Sequence, residues 1–556
     1  MHRATATLLP SDSASYVAGL LAFLVNSYLV AGRVSPTRTA VGFAILLLAF
    51  SHSGFLASAV ASRRERAGVG MSLILAAATL RLDSFIWPST IDWDENTFLT
   101  VARRALEGEL PYTTTFDNKG PMSVLFNAAA LGMSFDSLVV FRLALVVLIG
   151  LSGYAVFITV HEIGGRNGDA GLAAVLFVVL SSSIPTAGLW HTAHTGNTLI
   201  VLVFFVLARF GSSRPATLGV LLAALVLTRA NYGFTVVATW VACLAIAPQV
   251  SRNRFALRSV LGGTATLLVV AAVYATQGAL DRLFAGLVTV NLAQGHGVSG
   301  FSNIGKVATY LVSVQLFAAF LAFAGNYGGP NRSRMRITHM SIVITAASSA
   351  TALSVSLSEV VYGHHALLLV AFPALQIGVL MTTGAPHGAN QKPPRSRAGL
   401  LRPVTFAAAI ALLLNSIPSD VFSIDRDGFQ AESDVVTAVE EARAQSPGGL
   451  WALTDHYVYW RLRELPIHAL VTHPSSISKP GFLATVHLPG GPASDATEAV
   501  LAILELKPGV VVTRADMRHG YLDASASMAL KEALRRNYCP TSEVGRVMIW
   551  VICADG

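Results

Sequence analysis

Charged side chains are scarce in this chain. Asp, Glu, Lys and Arg make up 13% of its 556 residues while 53% are hydrophobic. Soluble domains usually carry about 25% charged residues, so an ordinary soluble enzyme is excluded. Cysteine is nearly missing: three residues cannot build a disulfide-rich scaffold or a four-cysteine zinc site. No phosphate-binding glycine loop is present, because GVGMS at Gly68 lacks both the lysine and the preceding strand that such loops need. Direct use of a nucleotide-activated substrate is therefore disfavoured. Zinc-protease, serine-hydrolase and Cys-x-x-Cys patterns are also missing, as are internal repeats and long low-complexity tracts.

What the chain has instead is apolar runs. Its mean hydropathy is +0.58. A bilayer span needs about 20 mostly apolar residues, and about thirteen stretches between Tyr16 and Ile417 read as such spans. The expected fold class is a polytopic α-helical membrane protein. The net charge of +8 does not point to nucleic acid, since the basic residues sit in short loops between apolar runs. Arg63, Arg64 and Arg66 precede one span, Arg252, Arg254 and Arg258 another, Arg332, Arg334 and Arg336 a third, and Lys392, Arg395, Arg397 and Arg402 the last. Placing all four clusters in the cytoplasm makes the loops alternate. The first long loop, residues 88–137, then lies on the periplasmic, extracytoplasmic side of the inner (cytoplasmic) membrane. The first apolar stretch, from Tyr16, lacks a small-residue cleavage site and reads as a retained helix.

From about Asp420 the apolar runs shorten to strand length, as in LWALT, HALVT, GVVVT and VMIWVIC. They alternate with helix-like pieces at 433–444 and 525–537, which predicts a small soluble α/β domain. The expected division is two transmembrane helices over 1–66, a transmembrane catalytic domain over 67–419, and an extracytoplasmic domain over 420–556. That topology puts Cys539 and Cys553 in an oxidising compartment where they could pair, whereas Cys243 reads as a small buried hydrophobe.

The first outer loop is the one charge-dense passage between hydrophobic stretches in the first half of the chain: IDWDENTFLTVARRALEGELPYTTTFDNKGP, from Ile91 to Pro121. A membrane protein keeps acidic groups beside its spans only where water, a partner or a substrate stabilises them. Asp92, Asp94 and Glu95 open an amphipathic helix whose apolar stripe is Phe98, Leu99, Ala102, Ala105 and Leu106. The spacing of Asp92 and Glu95 matches a helix-capping box, which accounts for Asp92 and leaves Asp94 unexplained. A carboxylate there could deprotonate an acceptor hydroxyl or amine. Pro121 to Phe135 is apolar but too short to cross, and predicts a helix lying along the membrane interface.

An Asp-Glu pair after an early transmembrane helix, then an amphipathic helix, then GELPY (Gly108 to Tyr112) and FDNKGP (Phe116 to Pro121), resembles the first outer loop of the GT-C membrane glycosyltransferases. The closest likeness is to the bacterial branch related to protein O-mannosyltransferases and aminoarabinose lipid A transferases. The resemblance implies a GT-C-like transmembrane domain, a sugar donor carried on a polyprenyl phosphate, and an acidic residue of this loop as general base in an inverting displacement. Carried onto this sequence, the base is Asp94, with Glu95 as its neighbour and possible substitute.

Other residues follow from the same likeness. Lys119 could hold the donor phosphate as a compact point charge or reach toward lipid headgroups. Asp117 could order Lys119 or a metal, and Tyr112 belongs to the GELPY element. Arg142, just inside the next span, could contact phosphate or snorkel to the interface. His191 and His194 in LWHTAHTGN stand where aminoarabinose-type relatives often carry an acidic residue. With no third ligand nearby, they read as polar lining of a substrate cavity rather than a metal site. A divalent cation is compatible with the loop, and no other cofactor is expected. Arg229 in LTRANYG occupies a place where relatives often have a basic residue. Tyr362, His364 and His365 in SEVVYGHHALLLVAFPAL resemble a late-helix pattern of the superfamily, and could bond the lipid-linked phosphate or anchor the membrane edge.

Residues 277–303 read as a mobile loop with an amphipathic start, a lid that orders when donor binds. Trp451, His456, Tyr457, Tyr459, Trp460 and His473 could stack on carbohydrate or pack a core. The expected function is transfer of a sugar from a polyprenyl-phosphate donor to a glycan, lipid or protein acceptor at the outer face of the bilayer. The alternatives are a polymerase or ligase of lipid-linked glycans, which shares the topology and the lipid-phosphate substrate, and a transporter or flippase. A transporter would place more polar groups at mid-membrane than this chain has.

Overall fold

The computed structural model describes residues 63–81, 84, 92–165, 167–183, 189–293, 332–357, 363–382, 426–486, 488 and 491–553. The spans expected before residue 61, at 307–324 and at 403–417 lie outside the described residues, as do Tyr362 and the glycine-rich end of the 277–303 segment.

The membrane portion runs α1 (Arg63–Leu80), α2 (Trp93–Leu106), α3 (Pro121–Ser134), α4 (Leu138–Glu162), α5 (Asn167–Ser183), α6 (Thr192–Phe210), α7 (Pro215–Val226), α8 (Tyr232–Ile246), α9 (Gln249–Thr276), α10 (Arg332–Ser356) and α11 (Ala371–Thr382). Among the described residues four stretches are helical, long and apolar enough to cross a membrane: Leu138–Glu162, Thr192–Ser213, Gln249–Thr276 and Ile337–Ser356. Helix α4 is central. It packs against α1, α5 and α6, and Phe141, Leu145, Ile149, Val156 and Val160 are sunk in the core. Helix α9 stands at the edge with Leu267, Leu268 and Val269 exposed, apolar surface that lipid would cover. It meets α7 backbone to backbone, since a Cβ on Gly219 would lie 1.9 Å from the Ser259 carbonyl oxygen; only small residues allow that approach.

Helix α2 starts where its sequence predicts. Asp92 is the N-cap, its carboxylate accepting the Glu95 N–H at 2.9 Å. The helix ends in Arg103 and Arg104, which suit the negative C-terminal end of its dipole. Arg103 pairs with Asp136 and Arg104 with Glu107 and Glu109. Gly108, at φ +92°, then reverses the chain into GELPY. Helix α3 begins on Pro121 at its first turn and packs on α2 and α4.

Two expectations need correction. The first part of the 277–303 segment is helix, broken by a π-helical turn at Ala285–Thr289, and it packs on the first outer loop: Arg282 donates to the Thr113 carbonyl at 2.8 Å. Its amphipathic start extends into a docked helix because Leu283 and Val290 are buried in a core shared with that loop. HALVT is a 3-10 turn (Ala469–Thr472) and not a strand, because the His468 ring accepts the Leu470 N–H and caps the turn.

Beyond α12 (Arg426–Gln445), a four-stranded sheet forms from β1 (Leu450–Ala452), β2 (Val510–Arg514), β3 (Tyr538–Val544) and β4 (Val547–Ile552), in the order β1-β2-β4-β3. β1 and β2 are parallel; β4 runs antiparallel to β2 and β3. Residues alternate faces as a strand dictates. Val510 and Val512 pack with Val435 and Val439 of α12, while Val511 faces α13 (Ala496–Glu505) and α14 (Ala524–Asn537). β3 contains Pro540, which a sheet tolerates only at an edge, and β3 is the edge strand. Cys539 and Cys553 form a disulfide across the β3–β4 pair. The core on the α13 and α14 side also contains Tyr112, Phe116, Leu283 and Val290, so the sheet region and the first outer loop share one interior.

Candidate active site

The first turn of α2 carries two adjacent carboxylates with opposite fates. Glu95 is fully buried. Its carboxylate takes the Arg142 guanidinium at 3.2 Å (Nε) and 2.5 Å (Nη2), and also accepts the Trp190 N–H at 3.0 Å. Arg142 donates further to the Ser84 carbonyl at 2.9 Å. This bidentate pair pins α2 to α4 and to the segment entering α6. The structure places Glu95 and Arg142 against each other, both with zero side-chain exposure.

Asp94 points the other way and keeps 17% side-chain exposure. Its Oδ2 lies 3.8 Å from His191 Nδ1 and its Oδ1 lies 3.3 Å from His473 Nε2. His191 is the residue before α6, so the Glu95–Trp190 bond fixes it in place. His473 comes from the turn between two 3-10 segments beside the sheet. Trp93, 38% exposed, meets the His473 and Tyr521 rings edge-on at 6.4 and 5.7 Å. Burial raises the Asp92 carboxyl above its usual range, opposed by His191 and reinforced by the charge of Asp94. Ligand atoms of Asp92, Asp94 and His191 all lie within 4.8 Å of one another, so these three could hold a divalent cation.

The FDNKGP element lies beside this turn. A Cβ at Gly120 would sit 1.9 Å from the Leu227 carbonyl oxygen, so glycine lets the loop lie against the end of α7, where the Gly120 N–H bonds Thr228 at 3.0 Å. Lys119 is thereby set over the Phe98 ring at 5.9 Å, with Nζ 2.7 Å from Asn118 Oδ1 and 3.4 Å from Asp117 Oδ1. Tyr112 is buried and donates to the Lys119 carbonyl, so it orders the loop. A small crevice of about 10 Å³, room for roughly one water molecule, lies between Phe98, Tyr112, Asp117, Lys119 and Ser123. Arg229 feels the charges of both Asp94 and Asp117, and its Nη2 lies 3.1 Å from His365 Nε2. Asp94, Asp117, Lys119, His191, Arg229 and His365 are thus neighbours around one region.

The other expected residues stand differently. His194 is buried in the first turn of α6, where its carbonyl takes the Thr198 hydroxyl at 2.9 Å. His364 lies in the 3-10 segment Gly363–Leu369. Trp451, His456, Tyr457, Tyr459 and Trp460 are buried and pack the core rather than offering a sugar-stacking surface. His473 was expected only in that general group, and its contact with Asp94 has no local sequence signal.

No protein-family model matches the chain, and no curated protein matches it in sequence. Among solved structures, ArnT from Cupriavidus metallidurans bound to undecaprenyl phosphate superposes with a TM-score of 0.54 at 13% identity, covering 87% of this chain and 97% of that one. The apo state of the same protein gives a TM-score of 0.49 at 13% identity, covering 88% and 98%. The chain shares the fold of that protein. At this identity the likeness concerns architecture, and it agrees with what the first-loop motifs imply.

Proposed function

We propose that this protein is an inverting glycosyltransferase that moves a sugar from a polyprenyl-phosphate carrier to an acceptor at the outer face of the membrane, with Asp94 as general base. The observation that carries the reading is the exposure of the Asp94 carboxylate in a turn where its neighbour Glu95 is fully consumed by Arg142. Two cationic side chains, Lys119 and Arg229, border the same region. In the reaction an acceptor oxygen or nitrogen attacks the anomeric carbon, Asp94 takes its proton, and the bond from that carbon to the phosphate oxygen breaks. Lys119 and Arg229 stabilise the charge left on the departing polyprenyl phosphate. The shared fold and the lipid phosphate bound by the structural neighbour support this assignment. The positive-inside pattern supports an extracytoplasmic site.

Mass spectrometry of lipid-linked sugars and glycans in cells lacking the protein tests the reading. Accumulation of a sugar-charged polyprenyl phosphate, with one fewer sugar on a mature glycan, lipid or protein, is expected. A lipid-linked intermediate that moves across vesicles with no new glycosidic bond would instead mark a flippase.

A further inference from the structure

We propose that His473, supplied by the sheet region, is the positioning residue for Asp94, so that the site is completed only when the C-terminal part of the chain is docked. The proposal rests on the function assigned to Asp94 above and extends it to a residue that the first-loop motifs do not contain.

The tautomer of His473 is set by its surroundings. Its Nδ1 lies 3.2 Å from the Ser475 backbone N–H, which can only donate, so that nitrogen accepts. The Ser475 hydroxyl lies 3.0 Å from the same atom. In a neutral imidazole the remaining proton then sits on Nε2, the atom 3.3 Å from Asp94 Oδ1. An N–H aimed at one carboxylate oxygen fixes the rotation of that carboxylate. Oδ2 is left on the side of His191 as the oxygen that takes the acceptor's proton.

The ring itself is held. Trp93 meets it edge-on at 6.4 Å, and the preceding residue, Thr472, is tied to the first outer loop twice: its hydroxyl accepts the Phe116 N–H at 3.2 Å and its carbonyl accepts the Thr97 hydroxyl at 3.3 Å. The same carbonyl lies 3.2 Å from His456 Nδ1, which anchors the turn from the sheet side. Four groups, from Trp93, Thr97, Phe116 and His456, therefore converge on one imidazole and the residue before it. The Nδ1 bond caps the 3-10 segment that follows, so the same contact that shapes the turn turns Nε2 toward Asp94. Preorganisation of this kind is what a proton-accepting carboxylate requires, because misplacement by about 1 Å can cost about a hundredfold in rate.

The test uses the full-length protein in membranes of the deletion strain, with that strain's lipid extract as the source of accumulated donor and acceptor. For His473→Ala we expect turnover to fall at least about tenfold, while the apparent KM for the extract changes by less than about twofold. His473→Gln, whose side-chain N–H₂ can reach the position of Nε2, restores most of the turnover. Thermal unfolding of both purified variants in detergent should match the wild type within a few degrees. Wild-type turnover in His473→Ala overturns the proposal. So does a His473→Gln variant as slow as His473→Ala with unchanged melting, because the N–H would then not be what matters. Asp94→Asn, run in parallel, separates the two readings: activity in that variant removes Asp94 as base and the proposal with it, whereas an inactive Asp94→Asn beside a fully active His473→Ala sinks only the role of His473.

Discussion

The two sides of the first turn of α2 carry the same chemical group in opposite states. On the inner side Glu95 has no solvent exposure and is spent on Arg142, Trp190 and the anchoring of three helical segments. On the outer side Asp94 is partly exposed and faces two imidazoles, those of His191 and His473. The difference teaches that an acidic pair at a membrane edge need not be a catalytic pair. One carboxylate builds the floor on which the other works, and the direction each faces follows from helix geometry, since adjacent residues on a helix point about 100° apart.

The comparison can be broken most forcefully from its inner side. Arg142→Met leaves Glu95 buried and without its cation, which should cost about 3–5 kcal/mol, seen as a large drop in melting temperature of the detergent-solubilised protein. The double variant Arg142→Met with Glu95→Gln removes both charges and should recover much of that loss. A smaller effect is expected at a distance from the turn. Replacing Cys539 and Cys553 by serine opens a 14-residue separation, which should cost about 3 kcal/mol by loop entropy and leave the Asp94 contacts untouched, as readable from unchanged turnover below the melting range.

On the outer side, Lys119→Ala removes a charge-assisted contact worth about 1.5–3 kcal/mol. Apparent donor affinity should fall by about 10- to 100-fold, with melting nearly unchanged. A separate test, of the sheet region rather than the turn, is pH. Burial lowers His456 to about 3 and His519 to about 4, both below the unfolded value near 6.5. The unfolded chain therefore binds more protons below pH 6.5, and stability is full above that pH and falls as acid is added. The slope is up to about 1.4 kcal/mol per pH unit for each histidine. Asp455, whose carboxyl burial raises, works the other way and offsets part of the loss at the acid end. Melting curves recorded from pH 7.5 to 4.5 would show the fall.

The parts of the site that were legible in the sequence are the local ones. The Asp92 cap, the amphipathic α2, the glycine turn that opens GELPY and the FDNKGP element lie within one stretch, and each follows from spacing and residue type. The α/β pattern after residue 426 was legible because strands and helices have different periods, though Pro540 hid β3. What was not legible is what packing decides. Glu95 and Arg142 are 47 residues apart, and the turn carrying His473 docks across 375 residues through Thr97 and Thr472. No spacing rule links such partners. An arginine at the start of a span reads the same in sequence whether it snorkels, binds phosphate or, like Arg142, meets a carboxylate from a neighbouring helix.

The most direct measurement is turnover of Asp94→Asn beside Glu95→Gln in membranes of the deletion strain, corrected for the folded fraction of each. A general base contributes about 10²- to 10⁴-fold, so Asp94→Asn should lose that much with its melting temperature intact, while Glu95→Gln should lose stability but keep most of the turnover per folded molecule. Near-wild-type transfer by Asp94→Asn, or a loss of chemistry confined to Glu95→Gln, would contradict the account.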